Sequence, residues 1–403
     1  MPRFDPFAGV RYDLDRVELD DVIAPPYDVI GPEDQAALEA RSPYNVVRLD
    51  LPHDEDGGDR YAVARSRFDR WLAEGILRTD PEPGFYAYRM GYHDPAGNSR
   101  QVAGVLGALE VVAPGEGDVL PHEQTQDKIR TDRLQLLRAC RADLSPVWGL
   151  SMAEGISDLC AGAPGTPVAR CTDEEGVHHR MWRLTQPGVL DAVAETVRSA
   201  PVVIADGHHR YATALAYRDE QRAARGGARG DEDLIMALVC ELADSQASVR
   251  PIHRVVAGLP EGTDVVGALE PLFEVAATDL PVATLPERME EVGGLALLMG
   301  ADEAWLLTPR AAGDEVEDDL RPDTALLDEA LAKLPPHTLA FDPSLDSVTA
   351  QVAAGKASAA VLLRPVDVGQ IARNALAGRR MPTKTTFFHP KPRTGMVFRR
   401  MAV

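Results

Sequence analysis

The sequence predicts a mixed fold of α-helices and β-strands, and three observations predict it. Segments with the spacing of a half-buried helix alternate with short strand-like runs along nearly the whole chain. Two of those runs, PVVIA (201–205) and DLIMALVCEL (233–242), are apolar almost throughout, as strands covered on both faces tend to be. The chain has 403 residues, 45% of them hydrophobic, which suits two domains or one large core with insertions.

The elements follow in order. APPYDVI (24–30) is extended or turning, because its prolines fix φ and bias the residues before them away from helix. GPEDQAALEAR then predicts a short helix with Pro32 in its first turn. YNVVRLDL (44–51) alternates and predicts a strand. DRYAVARSRFDRWLAEGIL has helical spacing through Val63, Phe68, Trp71 and Leu72. GFYAYRMGYHDPAGNSRQVAGVLGALEVV predicts two strands around the turn DPAGN. LQLLRACRA (134–142) has helical spacing, and the polar stretch before it reads as a loop feeding that helix. SPVWGLS and HHRMWRL predict strands, and GVLDAVAETVRSA a helix. PVVIA is a short buried strand, HRYATALAYRDEQRAA a helix, and DLIMALVCEL a central strand. The 222–233 region and GDEVEDDLRPD (313–323) read as polar loops. From about 260 onward helical and strand pieces alternate again, from VVGALEPLF to VGQIARNAL. The division expected is 1–260 and 261–403, with a final strap, 379–395, returning to the first part.

Composition narrows the function classes. No run approaches the ~18 uncharged apolar residues of a membrane-crossing helix, and MPRFDPFAGVRYD has no basic region followed by an apolar one. The four cysteines are far apart and form no CxxC pair, which fits a reducing cytoplasm and no structural zinc. A net charge of −21 argues against nucleic acid as a partner. Only five basic residues are lysines, and Lys128, Lys384 and Lys391 fall in polar segments of interest on other grounds. P-loop, GxGxxG, HExxH and GxSxG motifs are absent.

Three stretches can carry chemistry. In VVIADGHHRYATALAY (202–217) a strand, an Asp-Gly turn and a helix start follow one another. The N–H groups of a helix start converge on one spot and, with the helix dipole, favour an anion. Gly207 permits the tight turn, and Arg210 offers a fork of donors matched to phosphate. His208 and His209 are donors, proton shuttles or metal ligands, and Asp206 is an orienting group, a proton acceptor or a Mg²⁺ ligand. The plainer alternative is an N-capped helix with surface histidines. The second pair, His178-His179, lacks the glycine and arginine and reads as surface. PHEQTQDKIRTDRLQLLRACRA (121–142) crowds His122, Glu123, Lys128, Arg130 and Arg133, where Glu123 suits a base or metal ligand and Lys128 and Arg133 suit phosphate oxygens. Against that stands the solvated charged face that such runs usually form. RRMPTKTTFFHPKPRTG (379–395) carries Lys384, His389, Lys391 and Arg393 among prolines, as a ligand-covering strap or an inert tail.

The segments APPYDVI, HEQT…K…DRLQLLRACRA, ADGHHRYATAL, PIHRVV and MPTKTTFFHPKPRTG, in this order, resemble the domain-of-unknown-function 1015 family. His389 stands where a tyrosine is expected in that pattern, and Cys140 where threonine is common. ADGHHRY is also similar to the phosphate-binding motif of the ParB/sulfiredoxin superfamily, which includes nucleotide-binding DNA clamps, sulfiredoxins and free-serine kinases. That second resemblance implies a ParB/sulfiredoxin-like core with large insertions and an α/β C-terminal portion. It implies that Gly207, His208, His209 and Arg210 contact nucleotide phosphates.

The leading expectation is an enzyme of the cytoplasm. It is a phosphotransferase using ATP or ADP with Mg²⁺, acting on a small hydroxyl compound such as serine, or hydrolysing a phosphoester at the same site. Phosphoryl transfer needs positioned cations, a metal and a base. The helix start, Arg210, Lys128, Arg133, Lys384 and Lys391 would hold phosphates. Glu123 or Asp206 would take the hydroxyl proton or hold the metal, and His122 and His208 would assist. Two alternatives stay open: a non-catalytic nucleotide-binding switch, and a metal-dependent hydrolase or lyase built on His122, Glu123, His208 and His209. The partners expected are substrate and nucleotide, with no membrane, and a homodimer stays open. All of this requires the three stretches to converge.

Overall fold

The computed structural model describes residues 1–54, 58–94, 97–121, 127–243, 245–246, 248–300, 303–310 and 320–402, with backbone only at 127–130. The fold is mixed α+β, as the alternating periodicities predict. The chain divides into two compact units. The first comprises the described residues within 1–247 and 390–402, and the second those within 248–389.

In the first unit the described residues form a nine-stranded mixed sheet. Its order runs Val119–Pro121, Val202–Asp206, Val147–Ser151, Leu234–Glu241, Ser99–Glu110, Phe85–His93, His178–Leu184 and Ala169–Thr172, with Phe4–Asp5 beside Ser99–Glu110. The apolar run at 234–241 lies inside this sheet, parallel to 147–151 on one side and antiparallel to 99–110 on the other. All but the last of its residues are buried, which is why it carries no alternation. Phe4, Phe85, Val105, Val147, Ile204, Ile235 and Val239 share one buried cluster with Tyr211 and Ala214 of the helix His208–Ala224. That helix lies beside Asp127–Cys140, where Leu137 meets Tyr217 and Met401.

The chain's last strand, Phe398–Arg400, sits between Gly9–Tyr12 and Ala142–Asp143 in a four-stranded sheet. Buried Arg399 donates to Asp143 Oδ2 at 2.9 Å. These bonds anchor the C-terminal segment in the first unit. The second unit has a six-stranded antiparallel sheet with an apolar cluster on each face, one around Phe273 and Leu327 and the other around Val255 and Met289. Its alternating pieces fall where expected, including the helices Asp323–Leu331 and Val368–Leu376.

Three local expectations are corrected, the first of them the loop before LQLLRACRA, because the helix there already begins at Asp127 and runs to Cys140. YNVVRLDL is not a strand: Val47–Asp50 is one helical turn. Asn45 starts it by accepting the Val47 N–H at 3.0 Å and donating to the Asp21 and Ile23 carbonyls. A buried asparagine that satisfies three backbone groups outweighs the β preference of the valines. His178-His179 is not a surface pair, because only His178 is exposed and His179 is fully buried. Adjacent residues of a strand face opposite sides, so the pair straddles the sheet.

Candidate functional site

The strand Val202–Asp206 ends at Asp206, and the chain turns at Gly207 into the helix His208–Ala224. Gly207 has φ +88, a left-handed conformation that side chains resist. A Cβ there would also lie 2.9 Å from Arg210 Nε and 3.0 Å from its Cζ. The glycine is needed twice, for the turn and for the guanidinium that lies over it.

Asp206 joins two cations. Its Oδ2 accepts from Arg210 Nη2 at 2.7 Å, and its Oδ1 accepts from Lys391 Nζ. Arg210 Nη1 donates to the Pro146 carbonyl and, at 3.2 Å, to Ser145 Oγ. Its Nε is buried and has no hydrogen-bond partner among the described residues. Burial works to raise the Asp206 carboxyl, but Lys391 and Arg210, with His208 adding to them, hold it well below the usual carboxylate range. Burial works to lower the Lys391 ammonium, and Asp206 and Asp28 reverse that and raise it.

Arg210 also lines a cavity of about 50 Å³ with Tyr27, Asp50, Arg133, Ser145 and Thr213, over a floor that includes Leu144 and Ile235. Arg133 is buried there. It donates to the Asp50 carbonyl at 2.7 Å and to Asp50 Oδ1 at 3.0 Å, and its other face is held by Asp132. Its guanidinium lies 4.3 Å from the centre of the Tyr27 ring. Asp50 Oδ2 is buried without a partner among the described residues. Burial raises the Asp50 carboxyl above its ordinary range, with Arg133 and Arg210 pulling the other way.

The expected site residues divide three ways. Asp206, Gly207, His208, Arg210 and Lys391 meet at the helix start, and Arg133 shares the cavity wall with Arg210. His209 is half-buried in the same first turn. His122 and Glu123 lie outside the described residues. Lys128 belongs to the helix Asp127–Cys140, and its side chain lies outside the description. Lys384 belongs to the second unit, at φ +59, where its carbonyl accepts from Arg254 at 2.9 Å.

The expected roles of Asp206 meet a committed group. Each of its oxygens pairs with a cation, and its depressed pKa makes it a weak proton acceptor. Among the described residues no group of three or more His, Cys, Asp or Glu side chains is placed to hold a metal ion. For a phosphate the fit is better, with the helix start, the unpartnered Arg210 Nε and Lys391 on one side of the turn.

Sequence reasoning missed Asp50, which sits inside an apolar run taken for a strand. It also missed Asp173, which binds Arg393, and His179, which binds Asp173. The one available signal was an aspartate among valines and leucines, because a carboxylate in such a run is buried and therefore paired.

This arrangement defines a class: a mixed α+β protein in which a strand–glycine–helix turn with paired Asp206, Arg210 and Lys391 lies beside a cavity lined by charged groups. The chain belongs to the family of proteins of unknown function DUF1015, whose model matches residues 4–332. No curated protein matches it. Among solved structures it is similar to a free serine kinase in complex with AMP, at 15% identity and TM-score 0.37 over 67% of this chain and 83% of that one. A conserved hypothetical protein from Pyrococcus furiosus matches at 15% identity and TM-score 0.36, over 67% and 87%. C-terminally truncated SbnI from Staphylococcus aureus matches at 12% identity and TM-score 0.38, over 72% and 85%. At such identities and TM-scores none of them bears on this chain's activity. Among the described residues no helix is long and apolar enough to cross a membrane.

Proposed function

We propose that the protein is a nucleotide-dependent phosphotransferase for a small hydroxyl compound such as serine. One observation carries this reading. Asp206, Gly207, Arg210 and Lys391 meet at the start of the His208–Ala224 helix, next to a cavity whose wall holds Arg210 and Arg133. Likeness of the ADGHHRY motif to known phosphate-binding motifs supports it.

The nucleotide supplies the phosphoryl group when bound. Arg210 and the first-turn N–H groups face its charge, and Lys391 adds an ammonium. Asp206 holds both cations in position rather than taking a proton. Its two ion pairs cancel part of the repulsion between Arg210 and Lys391 in the empty site. Arg133 is immobilised by Asp50, Asp132 and Tyr27 before any ligand arrives, so little conformational freedom is lost on binding. Glu123, placed by sequence alone, is the base in this reading. No step is assigned to Mg²⁺.

The test is incubation of the full chain with Mg²⁺, ATP or ADP and a panel of small alcohols including serine, followed by ³¹P NMR. A new phosphomonoester signal is expected. If no phosphate moves to any acceptor or to water, the reading fails.

A further inference from the structure

Lys391 sits on a segment with little regular secondary structure, between Pro390 and Pro392. The prolines fix φ on either side of it, but they do not place the lysine in space. A lysine side chain also loses rotamer entropy when held. Something else must therefore set the register of this segment against Asp206.

Two residues on, Arg393 is buried and bonded through both its main chain and its side chain. Its backbone N–H donates to Tyr88 Oη at 3.3 Å. Its Nε donates to Asp173 Oδ2 at 3.0 Å and its Nη2 to Glu174 at 2.7 Å. Tyr88 and Asp173 are joined in turn by His179, whose Nδ1 lies 2.8 Å from Tyr88 Oη and whose Nε2 lies 2.9 Å from Asp173 Oδ2. The bonds form a closed circuit that leaves Arg393 by its main chain and returns to it by its side chain. A neutral His179 protonated on Nε2 satisfies every member: the tyrosine accepts from Arg393 and donates to Nδ1, and Nε2–H donates to the carboxylate. Asp173 Oδ1 is engaged as well, accepting from the Val177 and Glu175 N–H groups at 2.9 Å. Next in the chain, Thr394 and Ala24 exchange two backbone bonds, of 2.9 and 3.1 Å, just before Tyr27 and Asp28.

We propose that Arg393 is the positioning residue of this site: the Tyr88–His179–Asp173 circuit fixes its backbone and thereby holds Lys391 against Asp206. Arg393 touches neither phosphate nor acceptor. The proposal rests on the reading of Lys391 as a phosphate-side cation, but its test does not.

The test labels amines of the folded full chain with a water-soluble acylating reagent and measures each lysine by mass spectrometry. Exposed Lys333 and Lys356 serve as internal references. In the unaltered chain Lys391 is expected to label on the order of tenfold more slowly than these. Arg393→Gln should bring Lys391 to within about threefold of the references while their own rates stay unchanged. Tyr88→Phe removes only the hydroxyl in the circuit, keeps both ion pairs of Arg393, and should give about a threefold rise. It carries the test if Arg393→Gln does not fold. Lys391 staying at its original rate in every variant that keeps the parent unfolding temperature overturns the proposal. Where phosphate transfer is observed, the variants should lower kcat and leave the acceptor KM in place. Exposure of Lys391 in a chain that never transfers phosphate sinks the functional reading and leaves the positioning role standing.

Discussion

Asp206 and Asp173 each hold a cation from the same short segment, Lys391 in one case and Arg393 in the other, and they leave opposite situations behind. Around Asp173 every partner is satisfied: His179, Arg393 and two backbone N–H groups surround the carboxylate. Around Asp206 the carboxylate is satisfied but one of its cations is not, since Arg210 keeps a buried Nε without a partner among the described residues. Both carboxyls are held below their usual range against the opposing effect of burial. A depressed pKa therefore does not separate a structural ion pair from a binding site. What separates them is whether donors are left over, and where.

The largest break in the comparison is Asp206→Asn. It leaves Arg210 and Lys391 close together without the charge between them. Removing one member of a buried ion pair costs about 3 kcal/mol or more, so the unfolding temperature should fall by several degrees. Phosphate transfer should vanish, because the cations are no longer aligned. A variant with parent-like transfer rates would show that Asp206 does not organise the site.

Gly207→Ala comes next and leaves the charges untouched. The φ of +88 and the 2.9 Å approach to Arg210 Nε both act against a Cβ. Strain of this kind is worth about 1–3 kcal/mol, and the guanidinium must shift to relieve it. Nucleotide affinity should weaken more than stability does, which calorimetry beside thermal unfolding would separate. Equal losses of both would mark the glycine as a turn residue alone.

Much of this contrast was legible in the sequence, and the reason for the rest is physical. ADGHHR announced itself because a strand, a glycine and a helix start are local features, and their convergence needs no tertiary information. The alternating elements were readable for the same reason. The circuit around Arg393 was not. Its members come from positions 88, 173, 179 and 393, and nothing near His179 distinguishes a buried histidine from an exposed one when both stand in HH. Asp50 was hidden by its neighbours: the valines and leucines that suggest a strand also bury a helical turn whose Val47 N–H Asn45 accepts.

Acid sharpens the comparison further. Asp173 and Asp206 have folded pKa values below their unfolded ones, so each stabilises the fold above the unfolded carboxylate pKa. That contribution is lost as pH falls through the depressed folded value. His179 is lowered by burial against the pull of Asp173, and His253 in the second unit is lowered by burial to about 4. A buried neutral histidine stabilises the fold above the ordinary imidazole range. For His253 that contribution drains away as pH falls from about 6.5 to about 4. Stability should therefore begin to fall below about pH 6.5, before either carboxylate is protonated. In His253→Asn the early part of this loss should shrink. A profile flat down to the carboxylate range would show that the buried imidazoles do not contribute.

The smallest effect tests whether geometry or charge count holds Arg393. Glu174 pairs with Arg393 at 2.7 Å, as short a distance as Arg393 to Asp173, so a tally of ion pairs would rank the two acids together. Their surroundings differ. Asp173 has a side-chain exposure of 4% and is tied to His179, whereas Glu174 is 43% exposed and shares its charge with the half-exposed Arg41. Water screens the outer pair and can replace its bonds, so Glu174→Gln should cost less than about 1 kcal/mol and leave Lys391 as slow to label as before. Asp173→Asn removes the charge inside the circuit, leaves Arg393 to the outer acid, and should expose Lys391. If the two variants behaved alike in labelling, the hold on Arg393 would be a matter of total negative charge, and the closed circuit would have no role of its own.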